Sequence, residues 1–460
     1  MSSTLAGPSA TPTPAEASQP LRSRSGSGSG SRRRARSAAT LGLALVCGLL
    51  AAPAQAAPAS IAAESRPGTT TSTASSASAA ALTRITLTGH GFGHGRGMGQ
   101  FGAYGYAVAY AYPASKILAR FYGGTRLVTS PAAAASQKIT VRLTAWDGVN
   151  VRITSPHASF RAGGVVFPAG KVAVLQYSAT TRALTVSSTS SCTSTSLSPL
   201  ARIDSGAALV TSSVAAPGAD VSKMLNVCAG SVLKAYRGSL TYRSVDASNP
   251  GRRLINSVGV DDYLRGVVPR EMPASWGDAS GGRGFQALQA QAVVARSYAL
   301  ASPPHRAYAK VCDTAACQVY GGAGSGGRLI EDNRATRAVS ATTGRVLVNA
   351  AGAIAKTEFS ASTGGFSAGG VFPAASDAGD ARAPGNIYHS WTTTVSTSPL
   401  QQQYGSQIGT LTKLQITKRD SGNRRVVSVR LYGTTGYTDP ISGDAIASAL
   451  GLYSNWFTVA

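Results

Sequence analysis

The sequence predicts an α+β fold of mixed sheets and packed helices, carrying a β-rich inserted module. Two changes of period say so. Between residues 138 and 186 apolar positions alternate as strands do: Ile139, Val141 and Leu143, then Val149, Val151 and Ile153, then Val172, Val174 and Leu175. Asp147-Gly148 and Pro168-Ala169-Gly170 supply the turns between them. From 285 to 300 the period becomes helical, with Phe285, Leu288, Ala292, Ala295 and Ala299 on one small-residue face. Residues 335–343 read as a further helix, and 344–356 as a hairpin turning at Ala351-Gly352.

In chain order, Arg32, Arg33, Arg34 and Arg36 precede an apolar run at 41–52 that ends in Ala54-Gln55-Ala56. A basic segment, an apolar stretch too short to cross a bilayer and an A-x-A site make residues 1–56 an expected export signal. Residues 57–82, nearly all Ala, Ser, Thr and Pro, have too little apolar surface to offset the entropy of ordering and read as a disordered linker. No later segment is apolar enough to span a membrane, so no transmembrane segment is expected after the signal. The protein is expected to be secreted, to the cell wall or outside the cell.

Of the 460 residues only 13% are charged, about half the usual share, yet the net charge is +24. Removing 1–56 deletes six arginines and one glutamate and leaves +19. The partner is therefore expected to be anionic. Export argues against nucleic acid and leaves lipid or the bacterial wall.

Four cysteines follow the signal, Cys192, Cys228, Cys312 and Cys317. An even count in an exported chain favours disulfides, and the local pairings Cys312–Cys317 and Cys192–Cys228 are preferred among three connectivities. Zinc at Cys312 and Cys317 is the second reading. It lacks donors, because His305 is the nearest histidine and a closed site needs four ligands. No cofactor is expected.

Residues 87–106, LTGHGFGHGRGMGQFGAYGY, alternate glycine with polar residues. Such a backbone turns sharply and approaches a ligand closely. A dinucleotide reading fails for want of the strand, the helix and the downstream acid. His94, Arg96 and Gln100 are candidates to line a sugar groove; that His94 merely pins the loop is equally open.

The centre of the chain is Glu271, set between Pro269 and Pro273, which are expected to keep the flanking backbone from helix and so present the carboxylate. Asp262 is expected to cap a short helix ahead of it. Three blocks, DYLRGVVPREMP at 262–273, ALQAQAVVARSYA at 287–299 and EFSASTGG at 358–365, together resemble the SpoIID/LytB family of bacterial cell-wall proteins. The glycine block at 87–106 and Gln318-Val319-Tyr320 resemble further family segments. In the sporulation protein the glycine block follows a segment like 444–457, whereas here it comes first. The motif order is therefore read as circularly permuted, which predicts 82–88 lying beside 456–459. On this resemblance 83–130 and 231–460 form the family domain, around the β-rich module at 131–230.

The resemblance implies that the ligand is peptidoglycan glycan strands and, on the amidase-enhancer side of the family, that a cell-wall amidase is a partner. It also implies that some relatives hold a metal near Cys312 and Cys317. Most glycoside hydrolases need two carboxylates, but a lytic transglycosylase needs one. Protonated Glu271 would donate to the oxygen leaving muramic acid C1, then as carboxylate take the proton of that sugar's own C6 hydroxyl as it closes on C1. Val268, Met272 and Trp276 are expected to raise its pKa by desolvation. Arg270 and Arg296 are candidates for the lactyl and acetamido oxygens, and Tyr298 and Tyr320 for stacking on sugar faces. Gln318, Ser360, Ser362, Thr363, Gly364 and Gly365 are candidates to grasp sugar hydroxyls or an acetamide. The competing class is a non-catalytic glycan binder that enhances a partner amidase.

Overall fold

The computed structural model describes residues 80–245 and 251–460. The expected export signal at 1–56 and residues 57–79 of the expected linker lie outside them. The described residues are α+β, with helices packed among several sheets. No helix among them is long and apolar enough to cross a membrane.

Two large sheets come from the alternating segments. The eight-stranded one runs in order through strands beginning at Ser198, Ala183, Val172, Val151, Leu225, Val232, Gly324 and Arg328. The seven-stranded one runs through Val311, Lys138, Arg252, Ser239, Ala207, Phe160 and Val165. Inward residues of both, such as Val151, Leu175 and Val227 with Val141, Val210 and Leu240, share one buried cluster with the helices. Strands from both sides of residue 230 therefore share sheets and core. Val149 departs from the expected alternation: it is exposed, ahead of the strand Val151–Thr154. The bridge Cys192–Cys228 ties the loop after Ala183–Thr189 to the strand Leu225–Ala229. Cys312–Cys317 closes a much shorter loop. Loop-closure entropy makes the longer bridge worth about 4 kcal/mol and the shorter about 2. Reduction is therefore expected to lower the denaturant midpoint, with Cys192→Ala accounting for the larger share.

The helix Phe285–Ala301 is the axis of the helical part. Its expected single apolar face is not what is found: residues on every side of it, from Ala287 and Leu288 to Arg296, Ser297 and Ala299, are buried. The helices Gln100–Tyr110, Ala114–Phe121, Val260–Glu271 and Asn333–Ala341 all pack on it. Small residues on all sides are what admit so many neighbours.

Around Glu271 the prolines act differently from expectation. The helix Val260–Glu271 continues through Pro269 and stops only at Met272, whose φ of −135° and ψ of 133° are extended, as a residue before proline must be. Pro269 lies in the last turn, where losing one amide donor and crowding one carbonyl is tolerated. Nor does Asp262 cap this helix; Gly259 occupies the cap, and Asp262 in the first turn pairs with Arg265 at 3.0 Å. The hairpin expected at 344–356 is only begun: Val348 and Ile354 bridge across the turn, while the strand Arg345–Val348 takes Arg126–Thr129 as its partner.

The remaining residues enclose a second core. Strand Arg84–Gly89 pairs on one side with Trp391–Ser396 and on the other with Phe457–Val459, Leu87 opposite Val459. This is the adjacency expected from the permuted motif order. The hairpin Leu411–Arg419 and Val426–Gly433 packs with the helices Ser398–Ile408 and Gly443–Ala449 beside them.

Candidate functional site

Glu271 ends its helix at the edge of a cleft of about 540 Å³. Three segments far apart in sequence build it. Residues 92–100 form one wall, 315–319 another, and 358–361 the third. The glycine loop is held by its glycines: at Gly97 an added Cβ would meet the Glu358 carbonyl at 2.0 Å, and φ there is +65°. Met98–Gly99 then pairs in parallel with Phe359–Ser360, joining the first and third walls.

The Glu271 carboxylate is half-buried and accepts one hydrogen bond, from the Val319 N–H at 2.8 Å. Burial raises its pKa, and that single amide offsets only part of the effect. The Cys312–Cys317 bridge closes the loop that brings Ala315, Ala316 and Cys317 to the cleft and leads to Val319. Trp276, expected to help desolvate Glu271, instead stacks on Tyr104 with ring centroids 4.3 Å apart.

The same cleft is lined by a second carboxylate, Glu358. Both its oxygens accept from Arg96, from Nε at 2.9 Å and from a terminal nitrogen at 3.1 Å. Those bonds lower its pKa. In this cleft burial favours the protonated form of one carboxyl and a guanidinium favours the ionised form of the other, the usual sign of unequal chemical roles. His94 accepts from the Arg96 backbone N–H at 3.0 Å. Enclosure and the Arg96 charge bring its pKa down to about 4, so it is neutral at ordinary pH.

Of the residues proposed from sequence, Glu271, Tyr298, Ser360, His94, Arg96 and Gln100 line this cleft. Gln100 is buried on its floor and donates to Gln291. The Ser360 hydroxyl is buried without a protein partner among the described residues.

The others are placed elsewhere, for reasons of packing. Arg296 is fully buried, paired with Asp261 at 2.8 Å and donating to the Arg345 carbonyl at 3.3 Å. It bolts helices together and offers nothing to a ligand. Tyr320 is buried, its hydroxyl donating to Asn256 at 2.8 Å, so its ring presents no face to a sugar. Gln318 is likewise buried, accepting from the Tyr263 hydroxyl at 3.0 Å. Arg270 is exposed, and its side chain lies along the backbone of Gly321 outside the cleft. Ser362 and Thr363 give their hydroxyls to Asp380 and Asp377, both buried. Gly364 and Gly365, at φ of +71° and +100°, let this turn close against His90 and His389. The hydroxyl run therefore pins a loop, and only Ser360 of it reaches the cleft. Glu358 was legible in the sequence as the first residue of the third motif; its tie to Arg96 was not, because the two are 262 positions apart.

Cys312 and Cys317 are bridged, and His305 brings a ring nitrogen within 4.8 Å of the two sulfurs. In the bridge neither sulfur is a thiolate. With the bridge reduced, these residues supply three donors for a metal, one fewer than a closed tetrahedral site needs.

Residues 248–349 match the family described as stage II sporulation protein, SpoIID. Over 103 residues, 22% of the chain, the sequence is 37% identical to the amidase enhancer of Bacillus subtilis (strain 168). The matched stretch spans 12% of that relative. Residues 248–349 include the Glu271 helix, the helix Phe285–Ala301 packed on it and the loop that donates the Val319 N–H to the carboxylate. Through residues 248–349 the chain is similar to the SpoIID family, and these matches support a role related to the cell wall.

Proposed function

We propose that the protein is an exported peptidoglycan lytic transglycosylase that cuts glycan strands at muramic acid, with Glu271 as acid and then base. The observation that carries this reading is a cleft in which one carboxyl is half-buried, accepts a single hydrogen bond and has a raised pKa. Protonated Glu271 donates to the glycosidic oxygen, the C1–O bond breaks, and positive charge builds on C1 and its ring oxygen. The carboxylate then takes the C6 hydroxyl proton as that oxygen bonds to C1, so the product ends in a 1,6-anhydro ring and no water is consumed. Tyr298 on the wall offers a ring face, and the free Ser360 hydroxyl a donor, for the sugar bound there.

Glu358 raises the question of hydrolysis, which would need a second carboxylate as base or nucleophile. Its ties to Arg96 argue against that role, since both oxygens are engaged and the pKa is lowered, making it a weak base. Glu358→Gln is therefore expected to cleave within about tenfold of the parent, because it keeps one acceptor for Arg96. A loss as deep as that of Glu271→Gln, measured on the same glycan, would turn the assignment to hydrolysis.

The deciding experiment is mass spectrometry of soluble products from intact and from peptide-stripped peptidoglycan. Ends with 1,6-anhydro rings support transglycosylation; reducing ends support hydrolysis. A second reading comes from the amidase enhancer relative: the same cleft would bind glycan and bring a cell-wall amidase to it. Glycan binding without any products, together with stimulation of an added amidase, would favour it.

A further inference from the structure

A larger cleft, of about 630 Å³, is lined by none of the residues that line the Glu271 cleft. Its walls come from residues 366–369 and Ala374, from the turn of the hairpin between Asp420 and Val427, and from Ser442, Gly443 and Asp444. We propose that it binds a carboxylate-bearing sugar unit of the glycan strand whose scissile bond lies in the Glu271 cleft. This rests on the reading of the first cleft as a glycan site.

Two arginines carry the proposal. Arg425 is only 5% exposed, yet it has no carboxylate within ion-pair distance among the described residues; it donates to Asn455 at 3.0 Å and to the Thr363 carbonyl at 3.2 Å. A buried cation without a counter-ion is costly, and an anionic ligand completes it. Next to it, the Arg424 guanidinium carbon sits over the Phe366 ring, 3.6 Å from its centroid, and no hydrogen bond from its side chain is found among the described residues. Held in place by the ring, its N–H groups are preset for a bidentate carboxylate.

The acids in the same cleft narrow the ligand. Asp420 and Asp444 line it beside the arginines. Mixed signs of this kind disfavour a polyanion such as a phosphate polymer. They suit a molecule with one carboxylate and several hydroxyls, the hydroxyls donating to Asp444 and Asp420 while the carboxylate takes the guanidinium groups. An N-acetylated sugar bearing a lactyl ether has that pattern.

The two clefts share a wall. The Ala368 N–H donates to the Gly95 carbonyl at 2.8 Å, and a Cβ on Gly95 would stand 1.9 Å from the Arg425 guanidinium. On either side of Gly95, His94 and Arg96 line the Glu271 cleft. One strand crossing this wall would occupy both sites.

The test is calorimetric binding of muramic-acid-containing tetra- and octasaccharides to the purified full chain carrying Glu271→Gln, which is expected to slow turnover. Each oligosaccharide is compared with its carboxyl-reduced form. The octasaccharide is expected to bind about tenfold more tightly with its carboxylates than without. That preference should disappear in Arg424→Ala and in Ser421→Trp, which places bulk on the rim of the cleft. Preference retained in both variants, or absent before substitution, overturns the proposal. The two readings fail separately. A protein that yields no cleavage products but shows the carboxylate preference keeps the second cleft and loses the first assignment. One that cleaves without the preference does the reverse.

Discussion

Glu271→Gln is expected to lower the rate of glycan cleavage about a hundred- to ten-thousandfold, while binding of peptide-stripped glycan changes little. The range is what general acid–base groups contribute. Glutamine keeps the shape and still accepts from the Val319 N–H, so the cleft should remain intact; what is lost is the proton. The pH dependence follows from the raised pKa of Glu271. The first step needs the protonated acid, so cleavage should persist above the pH at which an ordinary glutamate is ionised, then fall as pH rises through the raised pKa. A pH–rate profile of kcat/KM that instead rose through that range would assign Glu271 as an initial base and contradict the proposed order of steps.

Arg296→Ala is expected to cost about 3–5 kcal/mol of folding stability, read from the denaturant midpoint. The side chain is fully buried, and its removal strands the Asp261 carboxylate, which also accepts from Thr343, among helices that exclude water. Replacing both partners, as Asp261→Asn with Arg296→Met, should recover part of the loss, because no unpaired charge is then buried. This variant also decides between two roles for the residue. A protein with Arg296→Ala that kept its stability but lost glycan binding would restore Arg296 to the ligand site.

These two residues differ in nothing that the local sequence encodes. Both stand in the same motif-bearing stretch and both are polar residues amid apolar ones, so both looked like site residues. Nothing local separates them. Glu271 faces a cleft because its helix ends beside the loop that carries Val319. Arg296 faces inward because the Phe285–Ala301 helix is surrounded on all sides, and a surrounded helix has no outer face for an arginine. Tyr320, Gln318, Ser362 and Thr363 share the second fate, each satisfied by a buried partner from another segment.

What the sequence determined by itself is what depends on near neighbours: strands from alternation, helices from the 3.6-residue period, a turn where glycine permits positive φ, and a carboxylate at the end of a motif. The local disulfide pairings and the adjacency of 84–89 with 457–459 were also legible, the first from spacing and the second from motif order. Tertiary structure alone decided which polar groups meet. Arg96 and Glu358, Arg296 and Asp261, and Arg425 with its carbonyl and amide partners are brought together across tens to hundreds of positions. Burial, which sets both the direction of a pKa shift and whether a side chain can touch a ligand, is a property of all the elements packed around a residue, and no local pattern encodes it.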